Sequence, residues 1–290
     1  MRQIRHPGLI APTRASAIAD APIRLHFVLQ PGDTVDAAIA SGFAAAGCLG
    51  GFVAFDSGGC DPFQFVIPAA SRDGAHAAWY SGVFSPAGPV EMKQCVAMVG
   101  EREGGPFIHC HGVWQTSAGL RMGHMLAPNC IVTQPIVVTG LGFKAATFSA
   151  TYDSETHFTL FEPVSAGERV STTSPSALLV RIRPNEDVST AIETLCKARG
   201  ITRANVFGIG SLNEVCFADG RRMTSHATEL LIRKGSVVTI KSEPRASLDI
   251  SVVDMDGVIA EGEILHGDNP VCVTFELVLE VLAPSARGAN

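Results

Sequence analysis

The chain has 290 residues, of which 46% are hydrophobic and 17% charged, and its formal net charge is −6. That length predicts about two domains with sizeable cores. The balance excludes a disordered chain and a uniformly basic nucleic-acid binder, leaving only a local basic patch open. The longest apolar stretch, Phe43 to Phe55, is too short to span a bilayer and carries three glycines, so no transmembrane helix is expected.

Residues 1–22 are basic but lack an apolar core before a small-residue cleavage site. They read as an N-terminal extension and not as a secretory signal. The eight cysteines (48, 60, 95, 110, 130, 196, 216 and 272) include no CxxC pair. They read as reduced, mostly buried thiols of a cytoplasmic protein.

From Ile23 an alternating strand runs into a Pro-led turn at Pro31, an amphipathic helix with Val35, Ile39, Gly42, Phe43 and Ala46 on one stripe, Gly47, and a second apolar strand to Phe55. From Leu178 the pattern returns: Pro184 corresponds to Pro31, and Gly200 to Gly47. Val188, Ile192, Leu195 and Cys196 form the second helical stripe. Asp33, and Asn185 or Glu186, stand near the helix starts, where an oxygen suits the free N–H groups. The two glycines stand where a helix C-cap needs positive φ. The second halves of the copies also correspond. His109, His111 and His124 of HCHGVWQTSAGLRMGHML align with Asp249, Ser251 and Glu263. Between helix and motif the first copy is longer, and the extra residues fall in SRDGAHAAWYSGVFSPAGP, read as a long loop or extra hairpin. The expected division is a first domain at 23–161, a linker at 162–177, a second domain at 178–283 and a tail at 284–290. Each domain is an α+β module of one helix and several mainly antiparallel strands.

These residues, over Leu25–Phe55, His109–Val138, Leu179–Leu212 and Leu248–Leu282, resemble the plants-and-prokaryotes-conserved (PPC) domain, twice in tandem. The resemblance implies a curved, mainly antiparallel sheet packed against a helix in each domain, and assembly as a homotrimer. It also implies a metal site at the motif histidines. Prokaryotic members carry a DNA-binding label. No AT-hook core occurs in this chain, and the second copy has lost all three histidines.

His109 and His111 lie two apart in a predicted strand, so both face one way, and His124 on the return strand falls opposite them. Three imidazoles suit zinc or another divalent metal; the plain alternative is a polar face bonded to neighbours. Asp153, Glu155 and His157 also fall at period two, a second candidate cluster for a cation or an acid–base relay if that stretch is a strand. Trp114 and Arg121 are candidates to bind a small anionic ligand beside the metal. Arg221, Arg222, Arg233 and Lys234, read as turns, are candidate nucleic-acid contacts. Three functions follow. The first is a cytoplasmic PPC-type binding protein with a metal or small-ligand site in its first domain and an architectural second domain. The second is a zinc-dependent hydrolase or lyase at His109, His111 and His124, with Asp153 or Glu155 as base. The third is a DNA-associated regulator.

Overall fold

The computed structural model describes residues 2–72, 74–166 and 176–283. Much of the stretch read as a linker, and all of 284–290, lie outside the described residues.

In the first half the elements are β1 (Ala15–Asp20), β2 (Ile23–Leu29), α1 (Val35–Ala45), β3 (Gly50–Phe55), β4 (Gly59–Cys60), β5 (Phe65–Val66), β6 (Pro68–Ala69) and β7 (Trp79–Tyr80). There follow β8 (Val90–Arg102), β9 (Gly105–Thr116), β10 (Gly119–Met125), β11 (Val132–Gln134), β12 (Ile136–Phe143), β13 (Ala146–Tyr152) and β14 (Thr159–Ser165). The second half has β15 (Ala177–Ile182), α2 (Val188–Ala198), β16 (Arg203–Leu212), β17 (Val215–Cys216) and β18 (Arg222–Met223). It ends with β19 (Glu229–Ile240), β20 (Glu243–Val253), β21 (Ile259–Glu263) and β22 (Val271–Val281).

Mainly antiparallel sheet was expected, and it dominates the α+β architecture; among the described residues each half has a single α-helix, of eleven residues. The strand order of the first sheet is β2-β12-β3-β8-β9-β10-β5, and that of the second is β1-β15-β22-β16-β19-β20-β21. From β2 to β10 the first order corresponds strand for strand with β15 to β21 in the second. The chain's opening residues join the second sheet: β1 pairs with β15 from Ala15 opposite Ile182 to Asp20 opposite Ala177. At the other end of the first half, β14 pairs with β13 as far as Ser165, so ordered strand enters the stretch read as linker. The extra residues of the first half include a short hairpin, β6 on β7.

The helix α2 buries the stripe that its spacing predicts, Val188, Ile192, Leu195 and Cys196; α1 buries Val35, Ile39 and Phe43, while Ala46 stands at its C-cap and is half-buried. The N-caps differ from the expected residues. Thr34 caps α1 and bonds Asp36 with its hydroxyl (2.6 Å), while Asp187 caps α2 by accepting from the Thr190 N–H (2.8 Å). These are the last extended residues before each helix, which is where a cap must sit. Gly47 and Gly200 both take φ +65°, the left-handed conformation of a helix end.

All eight cysteines are free and buried. The two halves share one core: Leu179, Ile209, Leu231 and Val278 pack in the same apolar cluster as Phe52, Val96 and Phe148. Phe52 stacks on Phe207 with centroids 4.4 Å apart. No helix among the described residues is long and apolar enough to cross a membrane.

Candidate metal centre

The candidate centre rises from the β9–β10 hairpin. Thr116 and Gly119 close its turn, with the Thr116 hydroxyl donating to the Gly119 carbonyl (2.8 Å). That turn sets the register, which places His124 opposite His111. Alternation along β9 puts His109 on the same face as His111. Next to His124, a Cβ on Gly123 would stand 2.3 Å from the Val66 carbonyl oxygen, so only glycine lets β5 pair here. The three imidazoles each offer one nitrogen, all within 4.8 Å of one another. His109 Nε2 and His111 Nε2 are 3.0 Å apart.

The second half closes over these rings. The Leu230 carbonyl, on β19, accepts from His111 Nδ1 (2.9 Å), and the Glu276 carboxylate, on β22, holds His109 Nδ1 (2.8 Å). A carbonyl can only accept, so His111 carries its proton on Nδ1 and turns the Nε2 lone pair inward. The Glu276 carboxylate, as the acceptor, fixes His109 the same way. Two inward lone pairs at 3.0 Å repel unless a proton or a metal ion lies between them. His124 Nδ1 is buried without a hydrogen-bond partner among the described residues.

Burial, reinforced by the neighbouring His109, holds His111 and His124 well below the usual histidine range, so both are neutral at pH 7 and free to ligate. Burial pushes the Glu229 carboxyl, on β19, up to about 8. A cavity of about 50 Å³, room for a few water-sized groups, lies against His109 and His111 and is walled also by Tyr80, Ser211, Glu229 and Thr274. Among the described residues, no lysine or arginine lines it.

The other candidates are placed elsewhere. Trp114 is fully buried between Phe63 and Phe65, with centroids at 4.8 and 5.1 Å; it is core, not ligand surface. Arg121 is exposed and sits opposite Trp114 in the hairpin, on the face away from His124. Neither forms part of the cavity, so the basis for an anionic ligand there is gone.

Asp153, Glu155 and His157 do not share a strand face, because the chain turns from Asp153: the His157 N–H donates to the Asp153 carbonyl (2.8 Å), and His157 itself has φ +64°. The Asp153 carboxylate accepts from the Thr156 N–H (2.9 Å), from Arg181 (2.8 Å) and from Arg183. Burial alone would raise its pKa, but Arg181 and these hydrogen bonds prevail and hold it well below the usual carboxylate range. Glu155 is tied to Arg14 (2.6 Å). His157 stacks on Tyr152, which is exposed and not turned inward. The cluster is a strut between the halves and the N-terminal stretch, and neither acid is placed as a base at the histidines.

In the second half the register sets Glu261, not Glu263, opposite Ser251, the place of His124 opposite His111. The Ser251 hydroxyl donates to Glu261 (2.9 Å), and Arg233 pairs with Glu261 (2.5 Å) and lies 3.9 Å from Asp249. A guanidinium takes the acids there. Arg233 and Lys234 lie at a bulge within β19 and not in a turn. Arg221 pairs with Asp219 (2.7 Å), and Arg222 with Glu214 (3.1 Å). Of the four candidate nucleic-acid contacts, three are therefore engaged with acids.

Sequence reasoning missed Glu229 and Glu276. Nothing in the sequence singles out Glu276, one of two acids, with Glu280, in the apolar run VCVTFELVLEVL.

Residues 169–283 match the model of the Plants and Prokaryotes Conserved (PCC, also written PPC) domain. The match lies on the half without the three motif histidines. No curated protein matches the chain. Among solved structures, the chain is similar to a metal-containing protein from Archaeoglobus fulgidus, at 16% identity and TM-score 0.40, over 50% of this chain and 96% of that one. It is similar to a PPC protein from Pyrococcus horikoshii at 14% identity and TM-score 0.39, over 54% of this chain and 99% of that one. A hypothetical protein from Salmonella cholerae-suis aligns at 17% identity and TM-score 0.40, over 51% and 97%.

Proposed function

We propose that this chain is a tandem PPC-type binding protein whose first module holds one divalent metal ion on His109, His111 and His124, with zinc the best fit to three imidazoles. One observation carries the reading: two imidazole nitrogens whose lone pairs both turn inward at 3.0 Å, a separation near the ~3.3 Å expected of two nitrogens sharing a tetrahedral zinc. Glu276 behind His109 and the Leu230 carbonyl behind His111 are the outer partners that metal-bound histidines use for orientation. The second module is architectural: Ser251, Glu261 and Arg233 take the place of the ion with an internal ion pair. The tandem reading, one helix on one sheet in each half, is supported by the corresponding strand orders.

Calorimetric titration of zinc into chelator-treated full chain tests this. One site per chain in the wild type, lost in His111→Ala, is expected. Absence of binding in the folded wild type overturns it.

The hydrolase or lyase reading has one observation in its favour, the cavity beside His109 and His111, which leaves room for water next to a bound ion. DNA binding draws on the family label alone. The homotrimer implied by the resemblance is checked by light scattering of the purified chain.

A further inference from the structure

We propose that Glu229, reaching in from the second half, is a fourth ligand to the metal, so that the ion clips the two halves of the chain together. The assignment rests on the three-histidine site proposed above.

Position comes first. Strand β19 passes directly over the histidines, since its Leu230 carbonyl already holds His111. The residue before it, Glu229, carries Oε1 to 3.9 Å from His111 Nε2, the nitrogen that faces His109. Two donors on one zinc stand roughly 3.3 Å apart in tetrahedral geometry, so a small side-chain rotation closes the gap.

The second argument is an orphaned acid. Glu229 is 5% exposed, and its Oε2 is buried with no hydrogen-bond partner among the described residues. The other buried acids are all partnered. Asp153 has Arg181 and Arg183, and Glu155 has Arg14. Glu193 has Arg245 and His266, and Glu280 has Arg24. Asp187 caps α2, and Glu276 holds His109. Among the described residues, only the imidazole of His111 comes within ion-pair reach of Glu229. A carboxylate taken out of water without a cation is strongly disfavoured, and here the cation that would compensate it belongs at the apex of three imidazoles.

Charge then balances. Three neutral imidazoles contribute none, while Glu229 on the ion and Glu276 behind His109 together match a divalent cation. The histidines lie on β9 and β10, and the carboxylates on β19 and β22, so the ion spans the shared core.

The test compares full-length wild type with Glu229→Gln, both stripped by chelator. It uses competition titration with zinc, the visible spectrum of the cobalt(II) form, and melting with and without zinc. The expected result is zinc binding at least ~100-fold weaker in Glu229→Gln, beyond the loss usual for an outer-shell partner. The cobalt spectrum changes, and zinc raises the melting temperature less than in the wild type. Zinc-free circular dichroism controls for folding; if Glu229→Gln does not fold, Glu229→Asp, one methylene shorter, is read the same way. Affinity within about threefold of wild type and an unchanged cobalt spectrum overturn the assignment while leaving the three-histidine site standing. No zinc binding by wild type overturns that underlying reading instead.

Discussion

Replacing Asp153 by Asn separates a structural role for the Asp153 turn from a catalytic one. The side chain is 4% exposed on the partner face of Arg181, itself 2% exposed. Asn keeps the size and the oxygen that accepts from Thr156, but it presents an NH2 group to Arg181 and Arg183, which are both donors. Breaking a buried pair costs about 3–5 kcal/mol. Each guanidinium here retains Glu162, at 2.9 and 3.3 Å, so the lower end, about 3 kcal/mol, is expected. Urea unfolding followed by circular dichroism should show that loss with an unchanged slope, and zinc affinity should stay within about twofold, because Asp153 makes no contact with the histidines. The pH dependence has a definite sign. The folded-state pKa of Asp153 lies below its unfolded value, so its stabilisation is present above about pH 4 and is lost as pH falls further; the deficit of the variant should shrink there. A loss below about 1 kcal/mol, or a loss of zinc binding with the fold intact, would refute the strut.

Three further outcomes are expected. Glu276→Gln should weaken zinc roughly 10- to 100-fold without unfolding the chain, measured by competition titration, since it removes the carboxylate that orients His109. Gly123→Ala drives a Cβ to 2.3 Å from the Val66 carbonyl; it should cost about 1–3 kcal/mol in thermal unfolding and weaken zinc by displacing His124. In zinc-free Glu229→Gln, stability should fall as pH drops from 7 to 5. His111 and His124 stay neutral in the fold while the unfolded chain protonates them near pH 6.5. The wild type should show a smaller fall, because Glu229, at about 8 in the fold, contributes stability that is complete at low pH and is lost as pH rises through 8. Equal slopes in the two proteins contradict this.

The sheet and the histidine hairpin were legible because both depend on short-range rules. Period two aligns His109 with His111, and the tight turn ending at Gly119 brings His124 opposite. The helix stripes and their glycine ends are equally local. Glu229, Leu230 and Glu276 were not legible as site groups, since they arrive from the other half of the chain through packing of the two sheets. Asp153 to His157 misled by mimicking strand alternation. The segment DSET is turn-forming, with an Asp side chain free to bond the N–H three residues on, and that local bond prevails over alternation. Arg233 and Lys234 resembled a turn because a bulge interrupts the apolar pattern of β19 there. Trp114 is close to the histidines in sequence, but alternation turns it to the opposite face from them, into an aromatic core.

The most direct measurement is elemental analysis of the purified, untagged full chain beside a His109→Ala/His111→Ala variant. The account predicts about one metal ion per chain, absent from the variant. A folded wild type that carries no metal, and takes up none when zinc is added, would contradict it.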